Sequence, residues 1–165
     1  MTNLALRLIA VVAMLWTVPA LATKIAGRAT VIDGDTIAVE GADFHIRLYG
    51  IDAPEGRQVC RDADGAAYLC GSRAALALDD ILGRNARVSC RVKHRDRYRR
   101  YVAICRSGGR SVNHALVLAG WALDYPRYSR GIYARAEALA REHRRGMWVG
   151  GFQAPWEWRR KGADE

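Results

Sequence analysis

The sequence lacks several of the patterns that carry well-known chemistries. It contains no P-loop, no GxSxG nucleophile elbow and no HExxH pair, and no two cysteines have CxxC spacing. These absences weigh against P-loop nucleotide hydrolysis, serine-hydrolase chemistry and zinc sites. The four histidines are too scattered to form a recognisable ligand set: His45, His94, His114 and His143.

Long hydrophobic runs are scarce. Residues 8–16 form one apolar run, which is well short of the ~20 residues that a membrane-spanning helix needs. Arg7 precedes this run and the small-x-small sequence Ala20-Leu21-Ala22 follows it, so residues 1–22 are typical of a secretory signal peptide cleaved after Ala22. A membrane anchor is the alternative. We therefore expect an exported mature protein, secreted or periplasmic, without a stable membrane anchor.

Acidic residues are outnumbered by basic ones. The 165-residue chain has 17 Asp and Glu against 26 Lys and Arg, a net charge of +9. In a small exported protein this excess favours a polyanionic partner. Nucleic acid, anionic lipid and cell-wall polymer all fit the charge, and a purely solubilising role is the alternative. The length suffices for one domain with a core, which we expect to be a monomer.

Four cysteines are present: Cys60, Cys70, Cys90 and Cys105. In an exported chain an even number of cysteines indicates disulfides, and four cysteines allow three pairings. We favour Cys60–Cys70, which closes a short loop, and Cys90–Cys105, which joins two neighbouring strands, because both pairings are local. A thiol nucleophile is disfavoured, since an oxidising compartment would consume free thiols.

The hydrophobic periodicity predicts a mainly β fold with helices. Five strands are expected, at residues 25–32, 36–39, 44–48, 86–93 and 101–107. Residues 56–71 are polar and predict a loop. This content is typical of a five-stranded OB-type Greek-key barrel with about three helices. The barrel domain would span residues 23–150, followed by a short basic, tryptophan-containing tail over residues 151–165.

Capping residues and apolar faces predict the three helices. One runs over residues 72–82 with Ser72 as its cap. A second is capped by Ser111 and stopped by Gly120. A third covers residues 132–145, and its buried side is predicted to carry Ile132, Ala136, Leu139 and Ala140.

The segment from residue 31 to residue 55 concentrates chemistry-bearing side chains at strand ends. Asp35 lies in a DGDT turn, and Asp52 and Glu55 follow the later predicted strand that contains Arg47. Two aspartates with a backbone carbonyl and waters would suit Ca²⁺ or Mg²⁺, and Glu55 is placed to orient or deprotonate a cation-bound water. The alternatives are Asx turns for Asp33 and Asp35, and a solvated loop residue for Glu55.

Basic and aromatic side chains complete the picture. Arg47 alternates with apolar neighbours in a strand, so it projects to the opposite face, where its guanidinium suits a two-pronged phosphate contact. A surface ion pair is the alternative. The basic segment 91–101 contains several arginines, one of which would complete a phosphate clamp opposite Arg47. Four tyrosines are of the type that stacks on bases, although each is more often packing: Tyr98, Tyr101, Tyr125 and Tyr128.

Five sequence blocks resemble the staphylococcal nuclease (thermonuclease) family, in its exported bacterial branch. They are VIDGDT at 31–36, RLYGIDAPE at 47–55, DRYRRYVA at 96–103, VNHALVLAGWA at 112–122 and GMW at 146–148. The resemblance covers roughly residues 26–148. It implies an OB barrel with three helices, and Ca²⁺-dependent hydrolysis of DNA and RNA that leaves 3′-phosphates.

The resemblance also implies roles for individual residues. The ligands of one calcium ion would be Asp35, Asp52 and the backbone carbonyl of Ala53. The catalytic residues would be the general base Glu55 and the phosphate-binding Arg47 and Arg100. The nucleotide-contacting positions would be Arg97 and Tyr128, with Tyr125 as the alternative to Tyr128.

Two positions depart from the family pattern. Ala53 replaces a common threonine, which removes a hydroxyl group but keeps the carbonyl. Arg99 stands where glycine is usual, and an arginine there is unfavourable if the backbone needs a positive φ. The competing hypothesis is a non-catalytic OB module that binds single-stranded nucleic acid, for example in DNA uptake. The acids in the phosphate groove favour the enzyme.

Overall fold

The computed structural model describes residues 23–84 and 86–161. The predicted signal peptide and the last four residues of the predicted tail lie outside this part of the chain. None of the helices described there is both long and apolar enough to cross a membrane.

Ten strands run along the described chain. They are β1 (Lys24–Asp33), β2 (Thr36–Val39), β3 (Ile46–Leu48), β4 (Ile51–Asp52), β5 (Val59–Arg61), β6 (Ala67–Leu69), β7 (Arg87–Arg95), β8 (Tyr101–Ser107), β9 (Arg110–Ser111) and β10 (Leu123–Asp124).

Five of these strands form the predicted closed barrel. They are hydrogen-bonded in the order β3-β2-β1-β7-β8, and a parallel pairing of β3 with β8 closes the ring. The remaining pairs in this sheet are antiparallel. The fold class is therefore confirmed as a mixed five-stranded OB-type barrel with helices, and the five predicted strands correspond to these five.

Five α-helices surround the barrel: α1 (Cys70–Leu82), α2 (Val112–Leu118), α3 (Pro126–Ser129), α4 (Ala134–Glu142) and α5 (Pro155–Lys161). The three predicted helices are α1, α2 and α4. Ser111 caps α2 as expected, because its side chain accepts a hydrogen bond from the backbone N–H of His114. The single turn α3 and the C-terminal helix α5 were not predicted.

Three local predictions are wrong. Helix α1 begins at Cys70, with Leu69 rather than Ser72 at its N-cap. The segment predicted as a loop contains the β5–β6 hairpin, whose register pairs Cys60 with Tyr68. Ile132 precedes α4 and is 55% exposed rather than buried, because α4 starts two residues later at Ala134.

The core fills the barrel and the space beneath α1 and α2. Its largest fully buried side chains include Ile37, Ile46, Leu48, Leu78 and Leu116. Ile46 and Leu48 flank Arg47 in β3, so the apolar pair faces the core while the arginine points away from it. The packing of β3 thus fixes the direction of one candidate site residue.

Both predicted disulfides are confirmed. Cys60 in β5 is bonded to Cys70 at the start of α1, and Cys90 is bonded to Cys105 across the β7–β8 pair. The second bond joins directly opposed residues whose Cα atoms are 4.0 Å apart. Two disulfides are typical of proteins from an oxidising compartment.

Candidate active site

Arg47 links the two aspartates that the sequence singles out. Its Nη1 donates a hydrogen bond to Asp35 Oδ1 at 2.5 Å, and its Nη2 donates to Asp52 Oδ1 at 2.6 Å. The Asp52 carboxylate is fully buried, whereas the arginine side chain is 20% exposed. A surface ion pair was the alternative prediction for Arg47. The structure shows that the arginine pairs with both aspartates at once.

The turn between β1 and β2 presents Asp35. Asp33 Oδ1 accepts a hydrogen bond from the Asp35 backbone N–H, which is the predicted Asx turn. A Cβ atom on Gly34 would lie 2.8 Å from the Cβ of Ala53, so only glycine allows this close approach. The backbone N–H of Ala53 in turn donates to Asp35 Oδ2 at 3.0 Å. The turn and the Asp52–Pro54 loop are thereby locked together.

Burial makes the charge on Asp35 unfavourable. The pKa of Asp35 is raised from 3.8 to about 7, mainly by desolvation; Arg47 lowers this pKa, whereas the neighbouring Asp33 and Asp52 raise it. Burial would lower the pKa of Arg47, but attraction from Asp35 and Asp52 raises it above its usual value. The positive charge of Arg47 therefore stabilises the negative charge of the two buried carboxylates.

Arg159 on α5 is a candidate site residue that was not predicted from the sequence. Its Nη1 donates to Glu55 Oε1 at 2.6 Å, and its Nη2 donates to Asp52 Oδ2 at 2.6 Å. The proline at position 155 and the basic residues at the end of PWEWRRK are signals that predict a short helix. They do not say where that helix packs, and Arg159 is 107 residues from Asp52 along the chain.

The β7–β8 turn places Arg100 beside the same groove. Asp96 accepts hydrogen bonds from the backbone N–H groups of Tyr98 and Arg100 and from Arg100 Nε, so it organises the turn and holds the arginine. Arg99 has a φ of 68°, in the left-handed region where glycine is favoured. The substitution noted in the sequence therefore falls at a strained position next to Arg100.

A groove of about 1090 Å³ collects the predicted residues. Its lining includes the candidate site residues Asp35, Arg47, Ala53, Glu55, Arg97, Arg100, Tyr125, Tyr128 and Arg159. Asp52 lies behind this surface and reaches it through its contacts with Arg47 and Arg159. The groove thus joins an acidic centre to an arginine-rich wall, with tyrosines beside both.

Three of the four tyrosines named in the sequence analysis fall into two groups. Tyr101 packs on Phe44 and on the Arg95 guanidinium, which is the structural role that the sequence left open. Tyr125 and Tyr128 pack edge to face with ring centroids 4.9 Å apart, and Tyr125 also stacks on Trp156 of α5 at 5.2 Å. Tyr128 remains substantially exposed in the groove. It is therefore the more accessible of the two for stacking on a base.

The protein side chains supply only some of the oxygen ligands that a hard divalent cation needs. Within residues 23–84 and 86–161, no three His, Cys, Asp or Glu side chains cluster as a metal site. The proposed set contains only two carboxylates, Asp35 and Asp52, with the Ala53 carbonyl. Carboxylate and carbonyl oxygens are the donors that Ca²⁺ and Mg²⁺ prefer, with waters completing the coordination. The chemistry of these residues therefore fits such an ion.

A family described as "Staphylococcal nuclease homologue" matches residues 45–150. This chain belongs to that family. The matched segment of this staphylococcal nuclease homologue contains Arg47, Asp52, Glu55 and Arg100. Asp35 lies before the segment and Arg159 lies after it.

Three relatives of this staphylococcal nuclease homologue carry different names. It is 42% identical over 128 residues to the "Succinoglycan biosynthesis protein ExoI" of Rhizobium meliloti (strain 1021), which covers 77% of this chain and 66% of that protein. It is 32% identical over 119 residues to the "Probable staphylococcal-like nuclease CAN4" of Oryza sativa subsp. japonica, covering 71% of this chain and 22% of that protein. It is 34% identical over 172 aligned positions to the "Micrococcal nuclease" of Shigella flexneri, covering 94% and 92% of the two chains.

The chain spans just under two thirds of the ExoI protein and about a fifth of the rice protein. The match to the Shigella protein extends over nearly the whole of both chains.

Proposed function

We propose that this protein is an exported, calcium-dependent nuclease that hydrolyses phosphodiester bonds of DNA, RNA or both. The observation that carries the proposal is the position of Arg47, which holds Asp35 and Asp52 at the floor of a groove walled by arginines. Acids at the base of a basic groove suit hydrolysis, since a pure binder of polyanions has no use for them. The relative named micrococcal nuclease supports the same activity.

The cation would be held by Asp35, Asp52 and the backbone carbonyl of Ala53. When bound, a divalent cation neutralises phosphate charge and lowers the pKa of a coordinated water. The buried position of both aspartates favours such binding, because each carboxylate lacks bulk water to solvate its charge. The roles of these three residues come from the family resemblance.

Glu55 would orient the attacking water or accept its proton. Its side chain is 38% exposed and lines the groove, so it can reach a water beside a bound phosphate. The neighbouring Asp52 is fully buried and holds its position through Arg47. Asp52 would thus be held in place to attract the cation, whereas Glu55 is accessible for proton transfer.

Arg47 and Arg100 would stabilise the negative charge that develops at phosphorus. The Arg47 guanidinium has five N–H donors and uses one each on Asp35 and Asp52, so the remaining donors can face a phosphate. Arg100 approaches from the β7–β8 turn with Asp96 fixing its Nε. Charge stabilisation from two sides is the requirement of phosphoryl transfer. The expected cut expels the 5′-oxygen and leaves a 3′-phosphate.

The substrate would lie along the groove with its backbone near Arg97 and one base against Tyr128. Stacking on an aromatic ring is tolerant of sequence, because every base has a π-face. The two disulfides and the predicted signal peptide support action outside the cytoplasm, in the periplasm or after secretion. The protein would act as a monomer.

A cleavage assay tests the proposal. The oxidised mature chain, beginning at Thr23, is incubated with linear DNA and with RNA in millimolar Ca²⁺, in Mg²⁺ and in chelator. The proposal predicts cleavage in Ca²⁺ that chelator abolishes. Binding without cleavage in all conditions would instead support the single-stranded nucleic-acid-binding module.

A further inference from the structure

Arg159 contacts both Asp52, a proposed cation ligand, and Glu55, the carboxylate proposed to act on the attacking water. Its guanidinium donates to Asp52 Oδ2 at 2.6 Å, to Asp52 Oδ1 at 3.1 Å and to Glu55 Oε1 at 2.6 Å. An arginine cannot be neutralised by a change of pH in the physiological range. A permanent positive charge from the C-terminal helix therefore sits on the acidic centre.

The Asp52 carboxylate has no free oxygen while Arg159 is in place. Oδ1 accepts from Arg47 Nη2 and Arg159 Nη1, and Oδ2 accepts from Arg159 Nη2. A calcium ion would need to approach a ligating oxygen to about 2.3–2.6 Å. Such an ion would meet the Arg159 guanidinium at the same oxygens, and like charges at that separation repel strongly. Arg159 and a cation on Asp52 would therefore compete for the same oxygens.

Helix α5 is attached through its first turn and through Arg159. The segment before the helix is anchored, because Gly151 pairs with Arg61 and the Gln58 side chain donates to the Gln153 carbonyl. The helix itself is held by the buried Pro155, by Trp156, which stacks on Tyr125 and packs against a second buried cluster, and by the ion pairs of Arg159. Its last residues, Arg160 and Lys161, are exposed. Arg159 lies three residues beyond Trp156, so release of Asp52 would require movement of only the last turn of α5.

We propose that Arg159 competes with the divalent cation for Asp52, so that docking of α5 and cation binding oppose each other. Docked α5 keeps the acidic centre neutralised in the cation-free protein. Cation binding requires Arg159 to release Asp52, and the C-terminal helix thereby lowers the apparent cation affinity. This inference rests on the proposed function, since it uses the same cation site.

Calorimetric titration of Ca²⁺ into wild-type protein, Arg159→Gln and Arg160→Gln tests the competition. Arg160→Gln is the matched control, because it removes the same charge from the same helix at an exposed position. Circular dichroism establishes that all three proteins are folded. We expect Arg159→Gln to bind Ca²⁺ at least about tenfold more tightly than wild type, as removal of a competing state predicts, and Arg160→Gln to stay within about twofold.

The outcomes separate this inference from the proposed function. Equal or weaker Ca²⁺ affinity in Arg159→Gln, with binding intact in wild type, overturns the competition and leaves the cation site standing. No Ca²⁺ binding in any of the three proteins overturns both.

Hydrogen exchange of the α5 amides gives a readout independent of affinity. Exchange over residues 155–161 should accelerate when wild-type protein binds Ca²⁺, and should already be fast without Ca²⁺ in Arg159→Gln. Unchanged protection of α5 in Ca²⁺-bound wild-type protein would overturn the proposal.

Discussion

Arg47 in β3 and Asp35 in the β1–β2 turn form an ion pair of 2.5 Å, although they are 12 residues apart in the chain. The pair forms because Ile46 and Leu48 pack into the core on one face of β3, which leaves Arg47 on the opposite face. Packing of an apolar strand face thus places the guanidinium where the β1–β2 turn presents a carboxylate. The same guanidinium then reaches Asp52, which joins three parts of the sequence into one centre.

Replacement of Arg47 should affect catalysis far more than replacement of a surface arginine. Arg47→Ala is expected to lose about 2–4 kcal/mol of transition-state stabilisation, or roughly 30- to 1,000-fold in kcat, by analogy with the loss of an oxyanion donor. Arg47→Lys keeps the charge but not the two-pronged geometry, so it should recover only part of this loss. Exposed Arg28→Ala is the control. Near-wild-type rates in Arg47→Ala would show that the phosphate clamp is misassigned.

Asp35 makes the stability of the cation-free protein depend on pH. Its folded-state pKa of about 7 is raised above the ordinary value of 3.8, so the folded protein favours the protonated acid. The contribution of protonated Asp35 to the stability of the folded protein is fully present below about pH 4 and is lost as the pH rises through 7. Asp35→Asn should therefore be more stable than wild type at pH 8, by on the order of 1–3 kcal/mol, with a smaller difference at pH 5.

Urea unfolding in chelator at the two pH values measures this difference. Asp43→Asn, which changes an exposed carboxylate in a nearby loop, should behave as wild type at both. A loss of stability in Asp35→Asn at pH 8 would mean that the ion pair with Arg47 outweighs the burial of the acid.

Arg99 holds a strained backbone conformation. Because Arg99 has a φ of 68°, which glycine adopts without strain, Arg99→Gly should raise the free energy of unfolding by about 1 kcal/mol. Arg97→Gly, in the same turn but without a positive φ, should lower it by roughly 0.5–1 kcal/mol. Thermal unfolding of both variants provides the comparison. A destabilised Arg99→Gly would show that contacts of the arginine, such as its approach to Phe44, outweigh the backbone strain.

The Cys90–Cys105 disulfide should stabilise the barrel. The bond closes a loop of 15 residues, for which the chain-entropy model gives about 3 kcal/mol. A Cys90→Ala/Cys105→Ala double variant should lose about that free energy of unfolding, plus a smaller amount for the two buried sulfur atoms. Equilibrium unfolding under oxidising conditions measures it. Unchanged stability would indicate that the β7–β8 pairing already restricts the unfolded chain.

Local signals in the sequence were enough to predict much of the fold. Alternation around Arg47 gave its direction, the DGDT turn gave the Asx bond to Asp33, and the local cysteine spacing gave both disulfides. The β5–β6 hairpin was missed because each of its strands has only three residues, which is too short for an alternating pattern to stand out from the polar residues around them. Ile132 was misplaced because an apolar residue beside a helix start resembles one inside it.

Arg159 could not be predicted in its place because tertiary packing alone determines it. Nothing near position 159 in the sequence points to Asp52, and the helix that carries the arginine is docked through the stack of Trp156 on Tyr125. Arg100 was chosen through the family resemblance and not through its spacing. In the structure it lines the same groove as Arg47. Long-range contacts of this kind leave no local pattern.

Single-turnover cleavage of an end-labelled oligonucleotide in Ca²⁺ tests the central claim most directly, with wild-type protein compared with Glu55→Gln and the exposed control Glu40→Gln. We predict a chelator-sensitive cut leaving a 3′-phosphate in wild type and Glu40→Gln, and a rate roughly 10²–10⁴ lower in Glu55→Gln. Equal rates in all three proteins would contradict the assigned role of Glu55. An intact oligonucleotide in every reaction would contradict the nuclease itself.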